Sequence, residues 1–239
     1  MAQRRFGIFL DGRFQETRQQ YEVHSPYDGE VVSVVARGGP AEVEQAIGGA
    51  VRAAPQFAAL PAFRRAEILE RMRALMIEDF DAMVAAIQEE AGKPRRFASL
   101  EVERALDTFS DAATVARHEQ GELINLDAYP PGEGRLGLVR RVPVGPVSAI
   151  SPFNFPLNLV AHKVAPGIAA GCPVVLKPAS QTPSAALMLA GYAAEAGLPE
   201  GGLSVVPCSR DAAASLPFSA SRWIPAIRSV ADGGRHSAS

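Results

Sequence analysis

The alternation of short apolar runs with helical stretches between residues 150 and 206 constrains the fold more than any other feature. Residues 159–170 carry apolar side chains at helical spacing, with Pro166 among them. Val174-Val175-Leu176 is a short, wholly apolar run of the kind a parallel sheet buries on both faces. A helix of small residues is expected at 184–196, closed by Gly197 and Pro199, before another strand at Leu203-Ser204-Val205-Val206. Strand, helix and strand in this order imply an α/β chain with a parallel sheet and helices packed on it. Ligands of such sheets bind outside the carboxyl ends of the strands.

Two segments place chemistry at that edge. Pro152-Phe153-Asn154-Phe155-Pro156 holds one amide between two aromatics and two prolines. Each proline fixes its own φ and pushes the preceding residue toward an extended conformation, so Asn154 is rigidly presented. Lys177 ends the Val174-Val175-Leu176 strand and is followed by Pro178-Ala179-Ser180. It lies 23 residues after Asn154, a spacing that fits one crossover between two parallel strand ends. The simpler readings are an asparagine that closes a turn, a solvated lysine finishing a strand and a turn serine before Pro183.

Upstream, residues 6–36 read as β structure. Ile8-Phe9-Leu10 runs into Asp11-Gly12, a two-residue hairpin signal, and Pro26-Tyr27-Asp28-Gly29 marks a second turn before Val31 to Val35. From Pro40 the period becomes helical, with Val43, Ala46, Ile47, Ala50 and Val51 on one face. A longer helical region after Pro61 aligns Ile68, Leu69, Met72, Leu75, Met76 and Phe80. A helix at 82–91 ends at Gly92-Lys93-Pro94. Another spans 97–118 with Leu100, Ala105, Leu106, Phe109, Ala113 and Val115 buried. Pro130 to Gly134 is an exposed turn, and 136–147 reads as an extended edge arm carrying Pro143 and Pro146.

Net charge is −2 and no Lys/Arg-dense face interleaves with aromatics, so nucleic-acid binding is not expected. No apolar run reaches membrane-spanning length and the N-terminal one is too short for a signal segment, so no membrane partner is expected. Cys172 and Cys208 lack the spacing of a disulfide framework or a thiolate metal site. A reducing, cytoplasmic setting without a bound metal follows. Cys172 precedes a buried strand, where cysteine behaves as a small hydrophobe, and His162 has no triad partner at suitable spacing.

Five co-linear segments resemble the aldehyde dehydrogenase superfamily: Ser25-Pro26-Tyr27-Asp28-Gly29-Glu30, Glu90-Ala91-Gly92-Lys93-Pro94, the stretch 150–158, the stretch 170–183, and Ala196-Gly197-Leu198-Pro199-Glu200-Gly201. The first departs from the usual pattern, with Ser where Asn commonly precedes the proline. The resemblance runs from about residue 6 to 212. It implies a Rossmann-like cofactor-binding domain over 1–212, with N-terminal β hairpins and a protruding two-stranded oligomerisation arm near 122–147. It also implies NAD or NADP as cofactor, an aldehyde as substrate and a homo-oligomer in the full-length family. Asn154 matches the asparagine whose amide donates to the aldehyde oxygen as it becomes an oxyanion, a role typically worth about 3–4 kcal/mol of barrier. Lys177 matches the lysine that bonds the ribose of the cofactor's adenosine half. Ser180 stands where NAD-preferring members carry Glu; lacking that charge, it leaves room for the 2′-phosphate of NADP, roughly −1.5 to −2 in charge. Backbone at Ile150, Ser151 and Pro152 lines the cofactor cleft by the same resemblance.

The family reaction also needs a cysteine that forms a thioester with the substrate and a glutamate that activates water. Both belong to segments after the strand ending at Val206, and the family's chains run to roughly twice this length, as two ordinary domains would. From Ala213 to Ser239 the chain turns to Ala, Ser, Arg, Gly and Pro without sustained period. This stretch is read as an anomalous tail, consistent with a shifted reading frame in a GC-rich gene. The fold is then incomplete relative to the family, and the chain is expected to lack turnover by itself. The competing readings are a non-catalytic dinucleotide-binding or subunit-interaction module, and a truncated product without function.

Overall fold

In the computed structural model, which describes residues 3–118 and 121–214, the chain opens with strands β1 (Arg4–Phe6), β2 (Ile8–Leu10) and β3 (Arg13–Gln15). β2 and β3 form the expected hairpin, with Leu10 opposite Arg13. Asp11 and Gly12 take φ of 49° and 77°, the left-handed pair that a two-residue turn matched to strand twist requires. β4 (Gln19–His24) and β5 (Val31–Arg37) pair antiparallel, and β1 lies parallel to β5.

Helix α1 (Pro40–Ala58) has proline at its first position, where the missing N–H is not needed, and the Glu42 carboxylate accepts from Gly39 N–H at 2.7 Å. Val43, Ala46, Ile47 and Ala50 are buried as expected, but Val51 is exposed because it sits 100° round the helix from Ala50. α2 (Ala62–Glu78) buries Ile68, Leu69, Met72, Leu75 and Met76. Phe80, expected on the same helix, instead begins α3 (Phe80–Ala91). Gly92 closes α3 at φ 64°, and a Cβ there would come within 2.8 Å of Pro26 Cγ. α4 (Arg95–His118) buries Ala105, Leu106, Phe109 and Ala113, whereas Leu100 and Val115, expected inside, are exposed. The buried stripe passes instead through Ala98, Glu101 and Val102, so a carboxylate occupies a core-facing position.

β6 (Glu122–Asn125) and β7 (Leu136–Val139) form a separate two-stranded arm, with a short 3₁₀ turn at Pro130–Gly132 between them. The extended reading of 136–147 holds only to Val139; residues 140–146 join no ladder, and Pro143 and Pro146 have no N–H to offer one. The chain then runs through β8 (Val147–Ile150), α5 (Asn158–Ala169), β9 (Val174–Lys177), α6 (Ser184–Glu195) and β10 (Leu203–Val205).

The central sheet has the order β3-β2-β10-β9-β8, with β8, β9 and β10 parallel and β2 antiparallel to β10. The N-terminal hairpin therefore extends the parallel sheet and covers its β10 edge. Alternate residues point to opposite faces. Val175 and Val206 meet Ile8, Leu10 and the apolar face of α1. Val174, Leu176, Leu203 and Val205 face the other way, where α5 and α6 pack, with α2, α3 and α4 as an outer helical layer. Helices thus lie on both faces, the α/β architecture expected. Of the tail expected at 213–239, Ala213 and Ala214 close a 3₁₀ turn that begins at Ala212, and 215–239 lie outside the described residues.

Candidate active site

Parallel strands end together, and the register of β8 on β9 sets the site. Ile150 is the Cα partner of Lys177, and Ser151 N–H donates to Lys177 C=O at 3.1 Å. Ile150, Ser151 and Lys177 are therefore neighbours at the carboxyl edge. Ser151 is buried, while Pro152, Phe153, Asn154 and Phe155 are exposed on the turn that leads to α5. The Asn154 amide makes no hydrogen bond among the described residues, so both its donors are free for a ligand. Lys177 Nζ donates to the adjacent Pro178 C=O at 3.3 Å, which uses one of its three donors.

Ser180 is exposed and shares a cleft of about 450 Å³ with Phe153, Gln181, Thr182, Glu22 and His24. A long hydrogen bond (3.5 Å) from Thr182 Oγ1 to Phe153 C=O ties the two site loops together. Of the six residues expected at the site, Ile150 and Lys177 end the adjacent parallel strands β8 and β9, and Ser151, Pro152, Asn154 and Ser180 lie on the two loops that follow. Among the described residues no cluster of three His, Cys, Asp or Glu could hold a metal ion. No helix among them is long and apolar enough to cross a membrane.

Two buried glutamates fix those loops, and neither stands out as a binding residue in the sequence. Glu101 Oε1 accepts from Leu157 N–H (2.9 Å) and Asn158 N–H (3.2 Å), capping α5; its Oε2 pairs with Lys93 Nζ. Lys93 Nζ also lies 4.1 Å from the centroid of the Phe155 ring. Glu90 caps α6, accepting from Ser184 N–H at 3.0 Å and from the Ser184 and Ser33 hydroxyls. Burial raises the Glu90 carboxyl above its ordinary range, and the hydrogen bonds from Ser184 and Ser33 partly offset that rise. The usable signal was the placement of Glu101 three residues after Ala98 and four before Ala105, a carboxylate written into an apolar stripe.

The two helix ends that could attract a phosphate are therefore already filled by carboxylates. Cys172 and Cys208 are buried, and burial raises the Cys208 thiol while Lys177 pulls the other way. A protonated, buried thiol is a poor nucleophile.

The sequence model of the aldehyde dehydrogenase family matches residues 14–222, which includes the start of the stretch beginning at Ala213. Aspartate-semialdehyde dehydrogenase 1 of Pseudomonas canavaninivorans is 42% identical over 179 residues, covering 75% of this chain and 38% of that protein. Among solved structures, aldehyde dehydrogenase 21 of Physcomitrella patens, in complex with the reaction product succinate, matches with a TM-score of 0.86 at 41% identity. That match covers 89% of this chain and 45% of the other. The NADP-dependent glyceraldehyde-3-phosphate dehydrogenase of Bacillus halodurans C-125, complexed with NADP, matches at 0.83 and 32% identity, covering 87% and 44%. The chain spans less than half the length of each of these relatives.

Proposed function

This chain belongs to the aldehyde dehydrogenase family, and on that footing we propose that it supplies the oxyanion donor and a cofactor-binding lysine for NAD(P)-dependent oxidation of an aldehyde to a carboxylic acid. The observation that carries the proposal is the joining of Lys177 to Ile150 and Ser151 at one sheet end, with the unpaired Asn154 amide on the turn that follows. In this reading Asn154 donates to the carbonyl oxygen as negative charge gathers on it, and Lys177 donates to a ribose hydroxyl. The bound nicotinamide supplies the hydride acceptor. Ile150, Ser151 and Pro152 line the cleft with backbone, and Ser180 faces the ribose 2′ position, so NADP is accepted as well as NAD. The NADP bound to the Bacillus halodurans relative is consistent with that tolerance.

In this reading neither Cys172 nor Cys208 serves as the family's nucleophile. The buried state of both cysteines favours a chain that binds dinucleotide without turning aldehyde over by itself. Residues 1–212 make the cofactor-binding unit, and the exposed Leu123, Leu136 and Leu138 of the β6–β7 arm suit association with another copy. Free thiols suit a reducing, cytoplasmic setting. Calorimetric titration with NADP tests the proposal. Saturable binding is expected, and Lys177→Ala should weaken it about tenfold or more, as loss of a charge-assisted hydrogen bond does. Equal affinity in the variant would remove Lys177 from the site.

A further inference from the structure

We propose that Glu101 and Lys93 are positioning residues that clamp the turn presenting Asn154, an inference that rests on the reading of Asn154 as the oxyanion donor. The turn is gripped on both sides of that residue. Before it, Ser151 N–H is held by Lys177 C=O and Phe153 C=O by Thr182. After it, Phe155 lies under the Lys93 ammonium and Leu157 and Asn158 donate to Glu101. Asn154 has no hydrogen bond of its own among the described residues, so the hold on its backbone comes from these neighbours.

The anchor itself is firm. Glu101 is 1% exposed and sits on the buried face of α4, whose Val102, Ala105 and Phe109 are fully buried in the main core. A carboxylate so placed is costly unless its charge and lone pairs are met. Here one oxygen takes two N–H groups at the positive end of α5 and the other takes an ammonium. Lys93 follows Gly92, whose left-handed turn ends α3 and aims the lysine back toward α4. The comparable carboxylate at α6, Glu90, accepts from Ser184 N–H and the Ser184 and Ser33 hydroxyls, and Arg4, which pairs with Glu89, acts on it only through longer-range electrostatics. A plain helix cap needs no direct ion pair, so the Lys93 ammonium placed between Glu101 and the Phe155 ring points to the turn as what is being held.

The test is ¹⁵N relaxation of the 239-residue chain, comparing the native protein with Lys93→Met, Lys93→Arg and Glu101→Gln. Native Asn154 should show an order parameter near 0.85, as rigid backbone does. In Lys93→Met and Glu101→Gln the value at 153–155 should fall below about 0.6, with Leu157 and Asn158 amides in Lys93→Met still protected from exchange. Lys93→Arg should restore it. An unchanged order parameter at Asn154 in both variants would reduce the pair to a helix cap and overturn the proposal, as would unfolding of both. This readout reports how the turn is held and is silent on catalysis. The oxyanion role is tested separately, by whether Asn154→Ala alters aldehyde turnover in a chain that carries the nucleophile; its failure would leave the clamp standing.

Discussion

Asn154, Lys177 and Ser180 differ in how much their surroundings dictate. Lys177 is fixed by strand register, Asn154 by a turn gripped at both ends, and Ser180 by neither, since its side chain is exposed beside an open cleft. Ser180→Glu should leave NAD binding close to native and weaken NADP about tenfold or more, because a carboxylate would face a 2′-phosphate of roughly −1.5 to −2 charge. Competitive titration of the two cofactors measures the ratio, and an unchanged ratio would place Ser180 away from the ribose. At this scale the placement of Ile150, Ser151 and Lys177 at one strand edge was legible, because it follows from a local strand pattern. Glu101 and Lys93 were not, because their role depends on which residues of α4 and α5 meet across 56 residues of chain.

The elements follow from periodicity almost throughout, and three of the misplaced core residues share one cause. Val51, Leu100 and Val115 lie at the margin of an apolar stripe, and which margin faces inward is decided by packing partners. Leu100 yields to Glu101 because the α5 N-terminus needs a carboxylate there. Phe109, fully buried on α4 between α2 and α5, has no such ambiguity. Phe109→Ala should destabilise the chain by about 3–5 kcal/mol, the usual cost of a large core truncation, read as a lower urea midpoint. A change under about 1 kcal/mol would mean that the site can collapse around the loss. Glu90 makes a pH-dependent prediction. Its folded pKa is raised above the ordinary 4.5. The stability tied to its protonated form is thus complete below that value and is lost as pH rises through the raised one. Glu90→Gln removes this titration, so the difference in urea midpoint should shift in the variant's favour between pH 4.5 and pH 8. A constant difference would show that Glu90 does not titrate in that window.

At the scale of the molecule, two features set the limits of the chain. The hairpin β2–β3 covers the β10 side of the parallel sheet, a pairing not readable from sequence because β2 and β10 are nearly the whole chain apart. β8 forms the other edge of the described sheet, with exposed Ile150 at its end beside the candidate site. The α/β class, the order of β8, α5, β9, α6 and β10, and the site loops were all legible, since each is written in local pattern. Non-local pairing was not. Central to this picture is the proposal that these 239 residues bind the dinucleotide without turning aldehyde over by themselves. Its most direct test is one sample of purified chain with saturating NADP, assayed for bound nucleotide and for absorbance at the reduced nicotinamide band after addition of an aldehyde. Bound NADP with a flat absorbance trace is the predicted result; aldehyde-dependent formation of NADPH would contradict it.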